Sequence, residues 1–272
     1  MRKQSIPVIL LWVLSGLVTA LTSPSEAAVI ETQDWESQPG SPWQYSANFP
    51  TFSNAGSPSG GRALQFTYPA GTYSTSYGAG IAERTGTLGN DIYIGHWIKW
   101  SNPYDWNPVG TKLVYQAQDG PDINGSFTDN FLFFVNPGGT GLTFTQQLQQ
   151  FPNTQNRFMN VESVTFALNT WYWLEYHCVE NTVGQANGIL EVWVNGNKVM
   201  HHTDVTYRTN NRQFGSVLLG AEWGGGGGVI HQQQYFWVDH TTISTTRIGM
   251  PGTTPIGVDI IPPASPSGLR IQ

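Results

Sequence analysis

The chain of 272 residues predicts an all-β fold, two antiparallel sheets packed as a sandwich, and three observations lead there. Its apolar runs are short and rich in β-branched and aromatic residues, and no long stretch repeats apolar residues at helical spacing. The runs are bounded by Gly, Pro, Asn or Asp, in a chain with 31 Gly and 17 Pro. There is one cysteine, Cys178, so no intrachain disulfide can staple the fold and a packed core must hold it.

Taken in order, the strand signals start with Val29 to Thr32, Ala63 to Tyr68, Gly78 to Glu83 and Asp91 to Trp100. Thr111 to Gln118, Phe131 to Val135, Leu142 to Gln149 and Trp171 to Val179 follow. Gly188 to Val194, Lys198 to His202, Ser216 to Ala221 and Gln234 to Ser244 complete the set. So many strands with few tight turns favour two stacked sheets with Greek-key crossings over a meander barrel. Asn195-Gly196 marks a hairpin, because these residues tolerate the positive φ angles of a type I′ turn. Period-two alternation then turns Leu190, Val192 and Val194 inward, and Glu191 and Trp193 outward. The same parity on the preceding run puts Leu174 and Cys178 inside and Trp173, Glu175 and His177 outside. Asp239 is left undecided, since Phe236 and Val238 on one parity compete with Trp237 and Ile243 on the other; a bulge would reconcile them.

The ends carry separate signals. Arg2 and Lys3, the apolar stretch from Ile6 to Leu21 and the small-residue segment ending Ala27-Ala28 read as a bacterial-type signal peptide over 1–27. Export to the periplasm or outside the cell is therefore expected. No later window holds the ~20 apolar residues of a membrane helix. One sandwich domain is expected over 28–251. The stretch 252–272, rich in Pro, Ser and Thr, reads as a tail or linker whose end resembles the entry to a fibronectin type III module. With charged residues at 11% and a formal net charge of −6, the chain lacks the basic stripe of a nucleic-acid binder. A monomer is expected. Gly224 to Gly228 lacks the Lys-Ser/Thr of a phosphate loop and reads as a surface loop. Cys178, in a strand-like run, reads as a buried thiol.

Three stretches together resemble the concanavalin A-like lectin/glucanase superfamily, and within it the polysaccharide lyase-like jelly rolls of the heparin lyase I and alginate lyase type. They are Ile92-Tyr-Ile-Gly-His-Trp-Ile-Lys-Trp-Ser101 with Gly110-Thr-Lys-Leu113; Thr170-Trp-Tyr-Trp-Leu-Glu-Tyr-His177 leading to Gly188-Ile-Leu-Glu-Val-Trp-Val-Asn-Gly196; and Tyr235-Phe-Trp-Val-Asp-His-Thr-Thr-Ile-Ser-Thr-Thr-Arg-Ile-Gly249. The resemblance implies a jelly roll with a groove for an extracellular polysaccharide. It leaves the chemistry open, because one scaffold hosts lyases, hydrolases, lectins and binding modules. The glucanase pattern Glu-x-Asp-x-x-Glu is absent, as is the Tyr-x-Lys-x-Gly pattern of many alginate lyases.

A glycan groove needs aromatic platforms and polar groups. Trp97, Lys99, Trp173 and Trp193 are the substrate-binding candidates. For β-elimination, His177 is the candidate base, Lys112, Gln116 or Lys99 the group that neutralises a uronate carboxylate, and Tyr115 the acid. For hydrolysis, Glu175 and Glu191 form the candidate carboxylate pair. A lectin-like module without catalysis is the reading from a different class, and a purely structural matrix protein is a third. No cofactor is required. The adjacent His201 and His202 point to opposite faces of a strand, which argues against a shared transition metal. The acidic segment Asp119 to Asp129 misses EF-hand spacing. Relatives of this type imply a structural calcium ion, for which Glu31, Glu36 and Asp239 are the candidate acids.

Overall fold

The computed structural model describes residues 28–45, 51–72, 78–117, 130–147, 157–161, 163–208, 211, 213–223 and 228–252. The expected signal peptide, the segment Asp119 to Asp129, residues 224–227 of the glycine run and the tail beyond 252 lie outside the described residues. Strands are numbered in chain order. One sheet has eight strands, ordered β13 (Asn197–Val205), β12 (Gly188–Val194), β11 (Tyr172–Val179), β6 (Asp91–Trp100), β15 (Gln234–Ser244), β4 (Ala63–Tyr68) and β3 (Thr51–Ser53), with β1 (Val29–Gln33) also pairing with β15. The other has seven, ordered β10 (Arg157–Val161), β9 (Leu142–Gln147), β8 (Asn130–Val135), β7 (Thr111–Ala117), β14 (Phe214–Glu222), β5 (Gly78–Gly89) and β2 (Trp43–Tyr45). The chain crosses between sheets repeatedly, so β6 pairs with β11 and β15 rather than with its neighbours in sequence. The jelly-roll sandwich expected from the sequence is the fold. Among the described residues the remaining regular element is a 3-10 turn at Pro137–Gly139, and no helix is long and apolar enough to cross a membrane.

Alternation places the core. Ile92, Ile94, Ile98 and Trp100 of β6, Leu174, Tyr176 and Cys178 of β11, and Leu190, Val192 and Val194 of β12 all pack inside one cluster. Each large apolar side chain so buried contributes about 1.5–3 kcal/mol. Trp100 is the hub of an aromatic layer, its ring 5.1 Å from Trp106, 5.1 Å from Phe166 and 5.5 Å from Phe236. The β12–β13 hairpin closes on Asn195 and Gly196 at φ 49 and 79, the turn their sequence demands.

Two irregularities break simple alternation. In β15 the register shifts between Asp239 and Thr242, beside His240 at φ 48. The bulge explains why Phe236 and Val238 reach the core on one parity and Ile243 on the other. In β7 the register shifts between Lys112 and Val114. Downstream of that shift Gln116 is paired with Val217, a core residue, and Tyr115 with Leu218. The register shift thus separates Lys112 from Gln116 along the strand.

Candidate functional site

The outer face of the eight-stranded sheet carries the cluster expected from alternation. Its register pairs His177 with Glu191 and Tyr93, Glu175 with Trp193 and Gly95, and Trp173 with Trp97. The open trough is absent, however. Trp173 and Glu175 have no exposure and Trp193 is 3% exposed. The cause is the chain beyond β15, which folds back over this face. Ile248 N–H donates to Glu175 Oε1 at 2.8 Å and Gly249 N–H to Oε2 at 3.1 Å. The Arg247 guanidinium lies 4.7 Å over the Trp193 ring. Gly95 leaves room for the Trp173 ring, with which any Cβ there would collide. Trp173 and Trp193 thus do not line an open groove, contrary to the sequence expectation, and Trp97 is half-buried with its ring edge-on to Trp173 at 5.5 Å.

Glu175 is held by backbone amides beneath that strap, so it cannot meet a glycosidic oxygen, and the Glu175–Glu191 hydrolase pair is excluded by burial. Glu191 accepts from His177 Nδ1 at 2.9 Å and from Lys198 Nζ at 2.8 Å. The His177 hydrogen bond, with help from Lys198 and against partial burial, lowers its carboxyl to about 2. His177 also contacts Asp91 through Nε2 at 2.8 Å, and its ring stacks on Tyr93 at 3.9 Å. Burial, then Glu191 and Asp91, push the Tyr93 phenol up to about 12. With a carboxylate at each ring nitrogen, His177 has no nitrogen open to take a substrate proton. It is also on a different sheet from Lys112, Tyr115 and Gln116, which belong to β7. The structure therefore does not bring His177 together with Lys112, Gln116 or Tyr115, while Lys99, the other candidate neutraliser, shares the sheet of His177.

Lys112 is half-buried on β7, between β8 and β14 in the seven-stranded sheet. Lys99 is on the other sheet, at its outer face. Its ammonium lies 5.0 Å from the Trp171 ring and 4.8 Å from the Trp237 ring and donates to the Ala55 carbonyl. Burial lowers its pKa. Trp171, Trp237 and the neighbouring Tyr235 were not singled out from the sequence. Trp237 and Lys99 are register partners on the adjacent strands β15 and β6, and a pairing between strands so far apart in sequence is not readable from one chain.

Of the acids considered for calcium, Glu31 is committed to Trp43 and Arg84. Asp239 accepts from Ser57 and Ser59, and its buried Oδ1 has no hydrogen-bond partner. Glu36 accepts from Arg62 N–H in the same β3–β4 loop. Asp239 is the one carboxylate at this spot and its Oδ2 already takes both serine hydroxyls, so these residues do not fit the calcium ion that the resemblance implied. Among the described residues no group of three or more His, Cys, Asp or Glu could hold a metal.

No protein-family model and no curated protein matches the chain. Solved structures do. A PL-14 alginate lyase from Aplysia kurodai superposes with a TM-score of 0.61 at 14% identity, over 80% of this chain and 99% of that one. An alginate lyase from Chlorella virus gives 0.59 at 15% identity, over 79% and 99%. An endo-β-1,4-glucuronan lyase from the fungus Trichoderma reesei gives 0.54 at 14%, over 80% and 96%. The chain has the jelly-roll fold of these polysaccharide lyases.

Proposed function

We propose that this is an exported polysaccharide lyase that binds an extracellular uronate polymer and breaks it by β-elimination on the seven-stranded sheet. The observation that carries the reading is the likeness in fold to two alginate lyases and a glucuronan lyase over nearly their whole length. In the reaction a base removes the C5 proton of the uronate and the electron pair forms the C4–C5 double bond. The C4–O glycosidic bond breaks and the departing oxygen takes a proton. A cation must first neutralise the carboxylate to make C5 acidic. Lys112 is assigned that role, and Tyr115, three residues along β7, the proton transfer. His177 has no part in it.

The test is incubation with alginate, glucuronan, heparin-like and neutral polysaccharides, following ultraviolet absorbance of unsaturated uronates together with reducing ends. Absorbance should rise on a uronate polymer. Lys112→Ala should lower the rate by about 100-fold or more, while His177→Ala should keep turnover within a few-fold of the parent. Reducing ends without absorbance would refute elimination. Binding with neither signal would make the protein a lectin-like module.

A further inference from the structure

The outer face of the eight-stranded sheet is covered unevenly. The strap at Arg247 to Gly249 seals Trp173 and Trp193, but Trp171, Tyr235 and Trp237 on the same face are half-buried. These three rings are held firmly by contacts that leave them partly open. Trp171 Nε1 donates to the Gly56 carbonyl at 2.7 Å, and Trp237 Nε1 to Ser53 Oγ and Gln65 Oε1, both at 3.0 Å. Lys99 is clamped between the two indoles, and Tyr235 lies 5.6 Å from Trp237 with the rings 28° apart. With every indole N–H satisfied by protein, the exposed ring surface has only C–H and dispersion contacts left to offer, which suits the apolar face of a pyranose. Side-chain amides and hydroxyls flank the rings. Gln65 bonds Thr51 and Thr67, and Gln233 donates to the Tyr235 hydroxyl.

The charge of this patch selects among glycans. Lys99 makes no ion pair among the described residues, its partners being a carbonyl and two π faces. A fixed cation without a counterion beneath an aromatic platform favours an anionic chain. The geometry points to an accessory site, formed by Trp171, Tyr235 and Trp237 over Lys99, that docks an acidic polysaccharide on the face of the sandwich opposite β7. The polymer class rests on the lyase reading, whereas the platform does not. Lys99 acts here as a positioning residue that orients both indoles.

Electrophoresis through gels containing alginate or polyglucuronate, beside gels containing a neutral β-glucan, tests it. The parent protein should be retarded by the acidic polymers, and Trp237→Ala should weaken that retention by about tenfold or more. Tyr235→Ala, whose hydroxyl among the described residues accepts from the exposed Gln233, should weaken it with an unchanged melting temperature, which guards against misfolding of the first variant. Turnover of short oligouronides should be unaffected in both, and Lys112→Ala should be retarded like the parent. Undiminished retention of both aromatic variants would show that the rings merely anchor the β3–β4 loop and would overturn the site. Equal retention on the neutral glucan would overturn the acidic assignment. Retention without any unsaturated product would leave the platform standing and remove the lyase.

Discussion

His96 is fully buried in the sandwich, with no hydrogen-bond partner at either ring nitrogen, and burial lowers its pKa from 6.5 to about 3. The fold therefore keeps the ring neutral while the unfolded chain protonates below pH 6.5. Its contribution to stability is complete above that pH and is lost as pH falls from 6.5 towards 3, at about 1.4 kcal/mol per pH unit. Urea titrations at about pH 5.5 and about pH 4.5 should show this slope, and His96→Leu should flatten it by one proton. Identical slopes would mean that the folded protein protonates the ring. Glu191 cannot produce the effect, because its depressed carboxyl loses stability only as pH falls from 4.5 towards 2. His96 was legible as an inward residue from the alternation of β6. Its missing partners were not, since they depend on what the opposite sheet presents.

At the scale of elements, the strap is the feature that decides which aromatic residues meet solvent. It closes because Glu175 gathers the Ile248 and Gly249 amides and because Gly95 lets the Trp173 ring approach the backbone closely. Gly95→Ala should drive a methyl into that ring, with Ile248 Cδ1 only 3.2 Å away, and cost about 1–3 kcal/mol in a urea melt. A change of less than about 0.5 kcal/mol, the usual range for a surface substitution, would show that the strap is loose. The strands themselves were read closely from sequence: Ala63–Tyr68, Asp91–Trp100, Gly188–Val194 and Gln234–Ser244 have the bounds expected. The short strands Trp43–Tyr45, Thr51–Ser53 and Arg157–Val161 were missed, because three to five residues are too few to show a period.

Over the whole molecule, stability rests on a continuous core without covalent staples, and Cys178 is a probe of it. The thiol has no exposure, and burial, its largest influence, pushes its pKa well up. Labelling by a thiol reagent should therefore be slow in the native protein and should accelerate with denaturant in step with global unfolding. Rapid native labelling would reveal a local opening at β11. The same sandwich presents two opposed outer faces, so a chemical site on β7 and a docking platform beside β15 would work without competing for one stretch of polymer.

The sequence by itself determined the fold class, the long strands, the Asn195-Gly196 hairpin and the sorting of side chains into inward and outward sets. All of these follow from periodicity and turn preference, which act between residues near one another in the chain. The tertiary structure alone decided that the tryptophan cluster is roofed, that His177 is tied between two carboxylates, and that Lys112 and His177 belong to different sheets. Each of those outcomes depends on a bulge, a returning segment or a crossover that joins residues far apart in sequence, and a local period carries no record of such contacts.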